Sequence, residues 1–113
     1  MPLWFARGLR RGIVTTHYPS RPDSSAAGLP TPPAFRAAAI DGRLADRLAE
    51  VCPSQALYRD GGVLVFDVGR CTACGRCQEE APGAVLPSGE FELAATSRAQ
   101  LVKQIELVQQ AGR

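Results

Sequence analysis

Three cysteines lie within seven residues of this chain, and a fourth stands earlier in the sequence, directly before a proline. The three are Cys71, Cys74 and Cys77, each separated from the next by two residues, and the fourth is Cys52. Thiolates at this spacing can surround one side of a small metal centre, which then needs a further ligand from a distant segment. The chain is therefore expected to fold around a site that all four cysteines share.

The composition sets the scale of that fold. The chain has 113 residues, of which 45% are hydrophobic and only 6% aromatic, so it can bury one modest core. A core with so few large side chains would benefit from a covalent or metal staple. No apolar run approaches the roughly 18–20 residues of a membrane-spanning helix, so we expect no helix of that kind. A net charge of +2 excludes strong nonspecific binding of nucleic acid.

An internal repeat predicts the architecture. Residues 49–57 resemble residues 78–86, at an offset of 29 residues, and each copy leads into a turn signal between two apolar segments. The predicted hairpins join 56–58 to 63–66 and 84–86 to 91–93. We therefore predict an α+β fold built from two copies of a unit that contains a loop, a short helix and a hairpin.

Both flanks of the repeated region are expected to contain helices. At residues 3–14 apolar side chains recur every four positions and three arginines fall on the opposite side, a pattern typical of an amphipathic helix. A second helix is predicted over 35–51, and Ser97-x-x-Gln100 is typical of a capping box that opens a closing helix over 97–110. The predicted segments are a basic helix with a proline-rich docking strap (1–33), a central domain (34–95) and a C-terminal helix (96–113).

The cysteine run resembles that of the bacterial two-cluster ferredoxins, Cys-x2-Cys-x2-Cys-x3-Cys-Pro, in which the fourth cysteine binds the other cluster. Here the fourth position is Ala81, followed by Pro82. In the first half of the repeat Cys52-Pro53 occupies the fourth position. The three positions before it that would complete a second run hold non-ligands, namely Gly42, Ala45 and Leu48.

One complete ligand set is thus intact, and the other is completely absent. The resemblance implies a ferredoxin-like duplicated fold that binds a single 4Fe–4S cluster. The implied ligands of that cluster are Cys52, Cys71, Cys74 and Cys77. Backbone amides of the loop around Gly75 are expected to donate hydrogen bonds to the cluster sulfides and raise its potential.

Other interpretations of the four cysteines stay open. A structural zinc site also takes four such ligands, although these usually come as two Cys-x2-Cys pairs. A 3Fe–4S cluster is the alternative if Cys52 does not reach the site. The sequence has no serine–histidine–aspartate arrangement and no phosphate-binding glycine loop, so we expect no active site for bond-making chemistry. His17, the only histidine, is expected to be a contact residue.

Three further stretches resemble one subunit family. Residues 12–19 (Gly-Ile-Val-Thr-Thr-His-Tyr-Pro), 68–79 and 90–94 are similar to the ferredoxin-like iron–sulfur subunit of respiratory complex I and its hydrogenase relatives, including formate hydrogenlyase and hydrogenase-4. Members relay electrons between clusters in neighbouring subunits, and their N-terminal segment lies along the membrane-facing side of the complex. The resemblance implies the same role here, a cytoplasmic location at the membrane, and contact with a partner or the membrane through residues 3–14.

Two other functions compete with this one. A freely diffusing ferredoxin is the first, but such proteins tend to be acidic and need no N-terminal extension, whereas this chain has a pI of about 8.5 and a 33-residue lead. A zinc-stapled interaction module without a redox role is the second. Family members normally carry two clusters, and this chain departs from them in keeping the ligands for one.

Overall fold

The computed structural model describes residues 2–12, 18–21 and 28–108. Within these residues the chain is mixed α+β, as predicted. The α-helices are α1 (Leu3–Arg11), α2 (Gly42–Val51) and α3 (Arg76–Glu80), and 3₁₀ helices lie at Ala37–Ala39 and Arg98–Leu101. The strands are β1 (Pro33–Phe35), β2 (Leu57–Asp60), β3 (Val63–Asp67), β4 (Val85–Pro87) and β5 (Val102–Glu106).

The strands form two small antiparallel sheets. In the first, β1 pairs with β4, with Ala34 opposite Leu86. The second has the strand order β2–β3–β5, and Val65 of the central strand lies opposite Tyr58 on one side and Gln104 on the other. The last four residues of β3 are all buried. The cysteine run therefore follows directly after the buried central strand of this sheet.

A single core joins the two sheets to helix α2. Asp41 caps this helix by accepting a hydrogen bond from the Leu44 amide at 2.8 Å, an interaction typically worth about 1 kcal/mol. Ala45 and Leu48, one turn apart, are fully buried. They belong to a cluster of buried side chains from both halves of the chain: Ile40, Ala56, Leu57, Leu64, Phe66, Ala81, Ala84 and Val85.

Several local predictions are confirmed. Helix α1 (Leu3–Arg11) lies within the predicted range 3–14. It stops before Gly12, whose φ of 67° is outside the helical region. Residues 13–14 lie outside the described part of the chain. The first predicted hairpin is formed by β2 and β3. The helix predicted over 35–51 is shorter in the structure. Helix α2 begins at Gly42, and Phe35 belongs to strand β1.

The second predicted hairpin is wrong. Strand β4 pairs with β1, and residues 91–93 form no strand. Hydrogen bonds hold the turn after β4 against the segment before β1, from the Ser88 amide to the Pro32 carbonyl at 3.3 Å and from the Gly89 amide to the Thr31 hydroxyl at 3.1 Å. The backbone groups at this edge of β4 are thus paired with β1, and the Phe91 side chain stays exposed.

The C-terminal helix predicted over 97–110 is also wrong. A 3₁₀ turn leads into β5, which pairs along the whole of β3. Without β5, the buried strand β3 would have one edge of unpaired amides and carbonyls, which is costly away from water. The Ser97 side chain caps no amide; instead the Gln100 side chain accepts a hydrogen bond from the Thr96 amide at 3.0 Å. Residues 109–110 lie outside the described part of the chain.

Helix α1 stands apart from this core. None of its residues is buried, and its large apolar side chains are exposed, Leu3 at 82% and Trp4 at 72%. Its arginines at positions 7, 10 and 11 have no acidic neighbour within the helix. Among residues 2–12, 18–21 and 28–108, no helix is long and apolar enough to cross a membrane.

Candidate metal centre

All four predicted ligands line one pocket. Its cavity is small, about 20 Å³, and its wall includes the apolar side chains of Leu57 and Phe66. Each thiol is free of disulfide bonding. The four cysteines come from two places in the fold: Cys52 follows α2, and the other three, Cys71, Cys74 and Cys77, lie between β3 and the first turn of α3.

Cys52 reaches the pocket from the end of α2. Its amide donates the last hydrogen bond of the helix, to the Leu48 carbonyl at 3.2 Å. Pro53 then prevents the helix from continuing. The following turn brings the Ala56 amide to the Cys52 sulfur at 3.3 Å, and the Ser54 hydroxyl lies 3.5 Å from the same sulfur. Two donors therefore converge on the remote thiol.

The other three cysteines lie on a loop that begins where β3 ends. The Cys71 amide donates to the Val68 carbonyl at 3.2 Å, and the Cys71 sulfur accepts a hydrogen bond from the Ala73 amide at 3.4 Å. Ala73 adopts a φ of 53°, a left-handed conformation that costs roughly 1–2 kcal/mol for a residue with a Cβ. Gly75, with a φ of 81°, then reverses the backbone into α3. This local geometry directs the loop around the pocket.

Burial differs among the four thiols and shifts two of their pKa values upward. Burial is the main cause that raises the pKa of Cys77 to about 11, and the neighbouring thiols Cys71 and Cys74 add to it. Burial also raises the pKa of Cys71, against a hydrogen bond from the Ala73 amide and together with the charges of Cys52 and Cys74. Cys74 is exposed. Neighbouring thiolates thus disfavour ionisation of Cys71 and Cys77, and a cation in the pocket would relieve this repulsion.

The pKa of Cys52 is shifted in the opposite direction. Burial acts to raise it, but hydrogen bonds outweigh burial and lower the pKa below its usual value. The first of these comes from the Ser54 side chain, and the others come from the amides of Ala56, Leu57 and Ser54. The surroundings of Cys52 therefore favour its thiolate form, in contrast to those of Cys71 and Cys77.

The donor set suits a thiolate-bound centre. Four free thiols line one pocket, and amides donate to two of the sulfurs, as expected for sulfurs that carry negative charge. Within residues 2–12, 18–21 and 28–108, no three histidine, cysteine or acidic side chains are grouped closely enough to bind a single metal ion. This holds for the four cysteines as well: they line one pocket, and their role as metal ligands stays a prediction.

Three of the four positions at which the resemblance implies a second ligand set lie in the hydrophobic core. Ala45, Leu48 and Ala81 are all buried in the same cluster of side chains. Gly42 begins α2, where a Cβ would lie 3.1 Å from the Arg59 guanidinium. No thiol, carboxylate or imidazole stands at any of these four positions. These four positions therefore offer no side chain that binds a metal.

Sequence reasoning did not single out Ser54, which lies beside the Cys52 sulfur, or the ion pair of Asp67 and Arg98 at the start of the cysteine loop. The proximity of Ser54 to Cys52 in sequence was a usable signal for a hydrogen bond. Asp67 directly follows a predicted strand, but nothing in the spacing connects it to Arg98, which stands 31 positions later. His17, expected to be a contact residue, lies outside the described residues.

Comparison with known proteins adds no relative. The sequence matches no protein-family model, and a comparison with curated proteins finds no significant match.

Proposed function

We propose that this chain carries electrons through one 4Fe–4S cluster bound by its four cysteines, as a subunit of a membrane-associated hydrogenase-like or complex I-like oxidoreductase. The observation that carries the proposal is the convergence of four free thiols, from the end of α2 and from the 71–77 loop, on one pocket. Three thiolates from a short loop with a fourth from a distant segment is the ligand pattern of ferredoxin clusters. The chain acts as an electron carrier and has no active site of its own.

The strand order supports a ferredoxin-like duplicated fold. The chain runs β1–α2–β2 and then β3–α3–β4, so each half is a strand, a helix and a strand. The two halves exchange partners, since β1 pairs with β4 and β2 pairs with β3. In this proposal the duplicated halves share two sheets, and neither half forms a hairpin of its own.

The surrounding residues give the cluster site its properties. A bound cluster supplies one-electron redox chemistry, and the protein tunes it through hydrogen bonds, burial and charge. The amides of Ala56 and Ala73 and the hydroxyl of Ser54 favour electron-rich sulfur at Cys52 and Cys71. Phe66 and Leu57 keep water from one side of the pocket. The exposed Cys74 marks the side from which a redox partner has the shortest approach.

Helix α1 supports the membrane-associated part of the proposal. Its apolar side chains are exposed, and Arg7, Arg10 and Arg11 give it three positive charges without a compensating acid. An exposed helix of this kind binds an interface by burying its apolar face while its arginines contact phosphates or acidic side chains. We therefore assign it to contact with the cytoplasmic face of a membrane or with a neighbouring subunit.

Metal analysis of protein purified without oxygen tests the proposal. We expect about four irons and four sulfides per chain and no stoichiometric zinc. About eight irons would contradict the single-cluster assignment, and one zinc per chain without sulfide would favour a structural zinc module instead. Iron and sulfide in a chain that elutes alone and never associates with membranes would favour a freely diffusing ferredoxin.

A further inference from the structure

A buried carboxylate lies where the cysteine loop begins. Asp67, the last residue of β3, is only 7% exposed. Its Oδ1 accepts a hydrogen bond from the Gly69 amide at 2.9 Å, and its Oδ2 accepts one from the Arg98 Nη2 at 2.6 Å. The Arg70 Nε lies 3.7 Å from Oδ2. Both carboxylate oxygens therefore have partners, and one partner belongs to the C-terminal segment.

These contacts connect the C-terminal segment to the backbone that carries Cys71. The Val68 amide donates to the Leu101 carbonyl at 2.9 Å, next to the Asp67–Arg98 pair. The carbonyls of Asp67 and Val68 then accept hydrogen bonds from the Arg70 and Cys71 amides, at 3.1 Å and 3.2 Å. The turn from 67 to 71 is thus held on one side by its own hydrogen bonds and on the other by residues 98–101.

We propose that Asp67 and Arg98 are positioning residues that hold the cysteine loop in its metal-binding conformation, so that the C-terminal segment controls how fast the site loses its metal. This inference rests on the proposed function. Neither residue touches the pocket; both act through the backbone of the turn that ends at Cys71. Residues that orient metal ligands in this way typically contribute about 10- to 100-fold to metal affinity.

A merely stabilising role for the pair would have a different signature. An ion pair that only stabilises the fold would change metal release in proportion to its effect on unfolding. A pair that positions the loop changes metal release beyond that, because the loop can open while the rest of the fold persists. The side chain of Arg98 is 60% exposed, so its replacement creates no cavity.

The test compares Arg98→Gln with Arg59→Gln in the full chain loaded with its metal. Arg59 is the matched control, because it forms an exposed ion pair with Asp46 at 2.9 Å on the far strand of the same sheet. Release is followed by adding an excess of a chromogenic chelator, and the unfolding free energy is measured on the same samples in urea. We expect Arg98→Gln to release metal roughly tenfold faster than the unchanged chain, and Arg59→Gln to stay within about twofold.

Two further variants separate a positioning role of the ion pair from a general loss of stability. Arg98→Lys retains a positive charge near Asp67 and should recover part of the slow release. Ile105→Val weakens β5 without touching the ion pair and shows how much release follows from lost stability alone. Release from Arg98→Gln at the rate of the unchanged chain, or no faster than from an equally destabilised Ile105→Val, would overturn the inference. If the released metal is zinc, the proposed function fails while the comparison of rates still decides the positioning role.

Discussion

The Ser54 hydroxyl oxygen lies 3.5 Å from the Cys52 sulfur, immediately after the end of α2. A hydroxyl at this position can donate to the sulfur, and this contact lowers the pKa of Cys52. The neighbour of Ser54 in the same pocket wall, Thr72, is exposed and so provides a comparison on the other ligand segment. Ser54 is therefore the residue through which the redox properties of the site can be changed with the least disturbance.

Replacement of Ser54 by alanine should make the cluster harder to reduce. Loss of a donor to a ligand sulfur disfavours the more negative, reduced state, and a hydrogen bond of about 1 kcal/mol corresponds to about 40 mV for one electron. We expect a shift of that order to more negative potential in a spectroscopic redox titration. Thr72→Ala should leave the potential within a few millivolts. A shift to more positive potential in Ser54→Ala would contradict the assigned hydrogen bond.

The metal-free chain should lose stability as the pH rises from about 9 to about 11. In the unfolded chain the thiol of Cys77 ionises at its ordinary pKa of 9.0, whereas in the fold its pKa is raised to about 11. Folding thus favours the protonated thiol, and this contribution is complete below pH 9 and lost as the pH passes the folded value. Urea unfolding of the reduced, metal-free chain across this range provides the measurement.

Cys77→Ala is the control for this pH dependence. The variant lacks the thiol with the largest upward shift, so the fall in stability between pH 9 and pH 11 should become shallower. An unchanged slope would mean that Cys77 does not lie in the environment described. The slope should not vanish, since the pKa of Cys71 is also raised.

Replacement of Cys52 by alanine should remove the thiolate that binds one iron of the proposed cluster. The other three ligands lie on a continuous loop and helix, so we expect either a 3Fe–4S spectrum or loss of the cluster. Electron paramagnetic resonance of the oxidised protein distinguishes these, since a normal 4Fe–4S cluster in this variant would show that Cys52 is not a ligand. Ser54→Ala is the control, because it leaves the thiol in place.

Ala81→Cys should not create a second cluster. The new thiol would stand alone, because the other positions of that ligand set are Gly42, Ala45 and Leu48, two of them fully buried. We expect unchanged iron content and a loss of stability of about 1 kcal/mol from overpacking, whereas Leu48→Ala in the same core should cost about 2–5 kcal/mol. A rise toward eight irons per chain would contradict this expectation.

Deletion of residues 2–12 should separate membrane association from metal binding. None of the residues of α1 is buried, so its removal is expected to leave iron content and the visible spectrum unchanged. Binding to vesicles that contain anionic lipid, or to the parent complex, should be lost. The deletion stops before residues 31–33, because Thr31 and Pro33 are buried and β1 pairs with β4. Loss of the metal on deletion would show that α1 belongs to the core.

What the sequence could predict here was mainly local. The hairpin of β2 and β3 has its turn signal between the two strands, and α1 has its apolar repeat and arginines within three turns. The spacing from Cys71 to Cys77 and the proline after Cys52 predict a ligand set, and its role in binding a cluster stays a prediction. All four side chains meet in one pocket, as expected.

The two wrong predictions share a physical cause. Residues 84–93 and 97–110 each carry a plausible local signal, a turn and a capping box, but distant strands offered better partners. Val85 lies opposite Phe35, and Ile105 lies opposite Leu64, so each segment is fixed by a strand far away in sequence. Backbone pairing that satisfies a buried edge outweighs local propensity, and periodicity alone does not reveal the partner.

The pairing of β1 with β4 also has a consequence for how the protein is made. The N-terminus of a chain emerges from the ribosome first. Strand β1 is therefore synthesised about fifty residues before β4, the strand with which it pairs. All four cysteines lie between these two strands and have emerged before the sheet can close. Under the proposed function, iron and sulfide can therefore meet all four cysteines on a chain whose β1–β4 sheet has not yet formed. Strand β5 follows β4 in the sequence, so its pairing with β3 comes after all four cysteines have been synthesised.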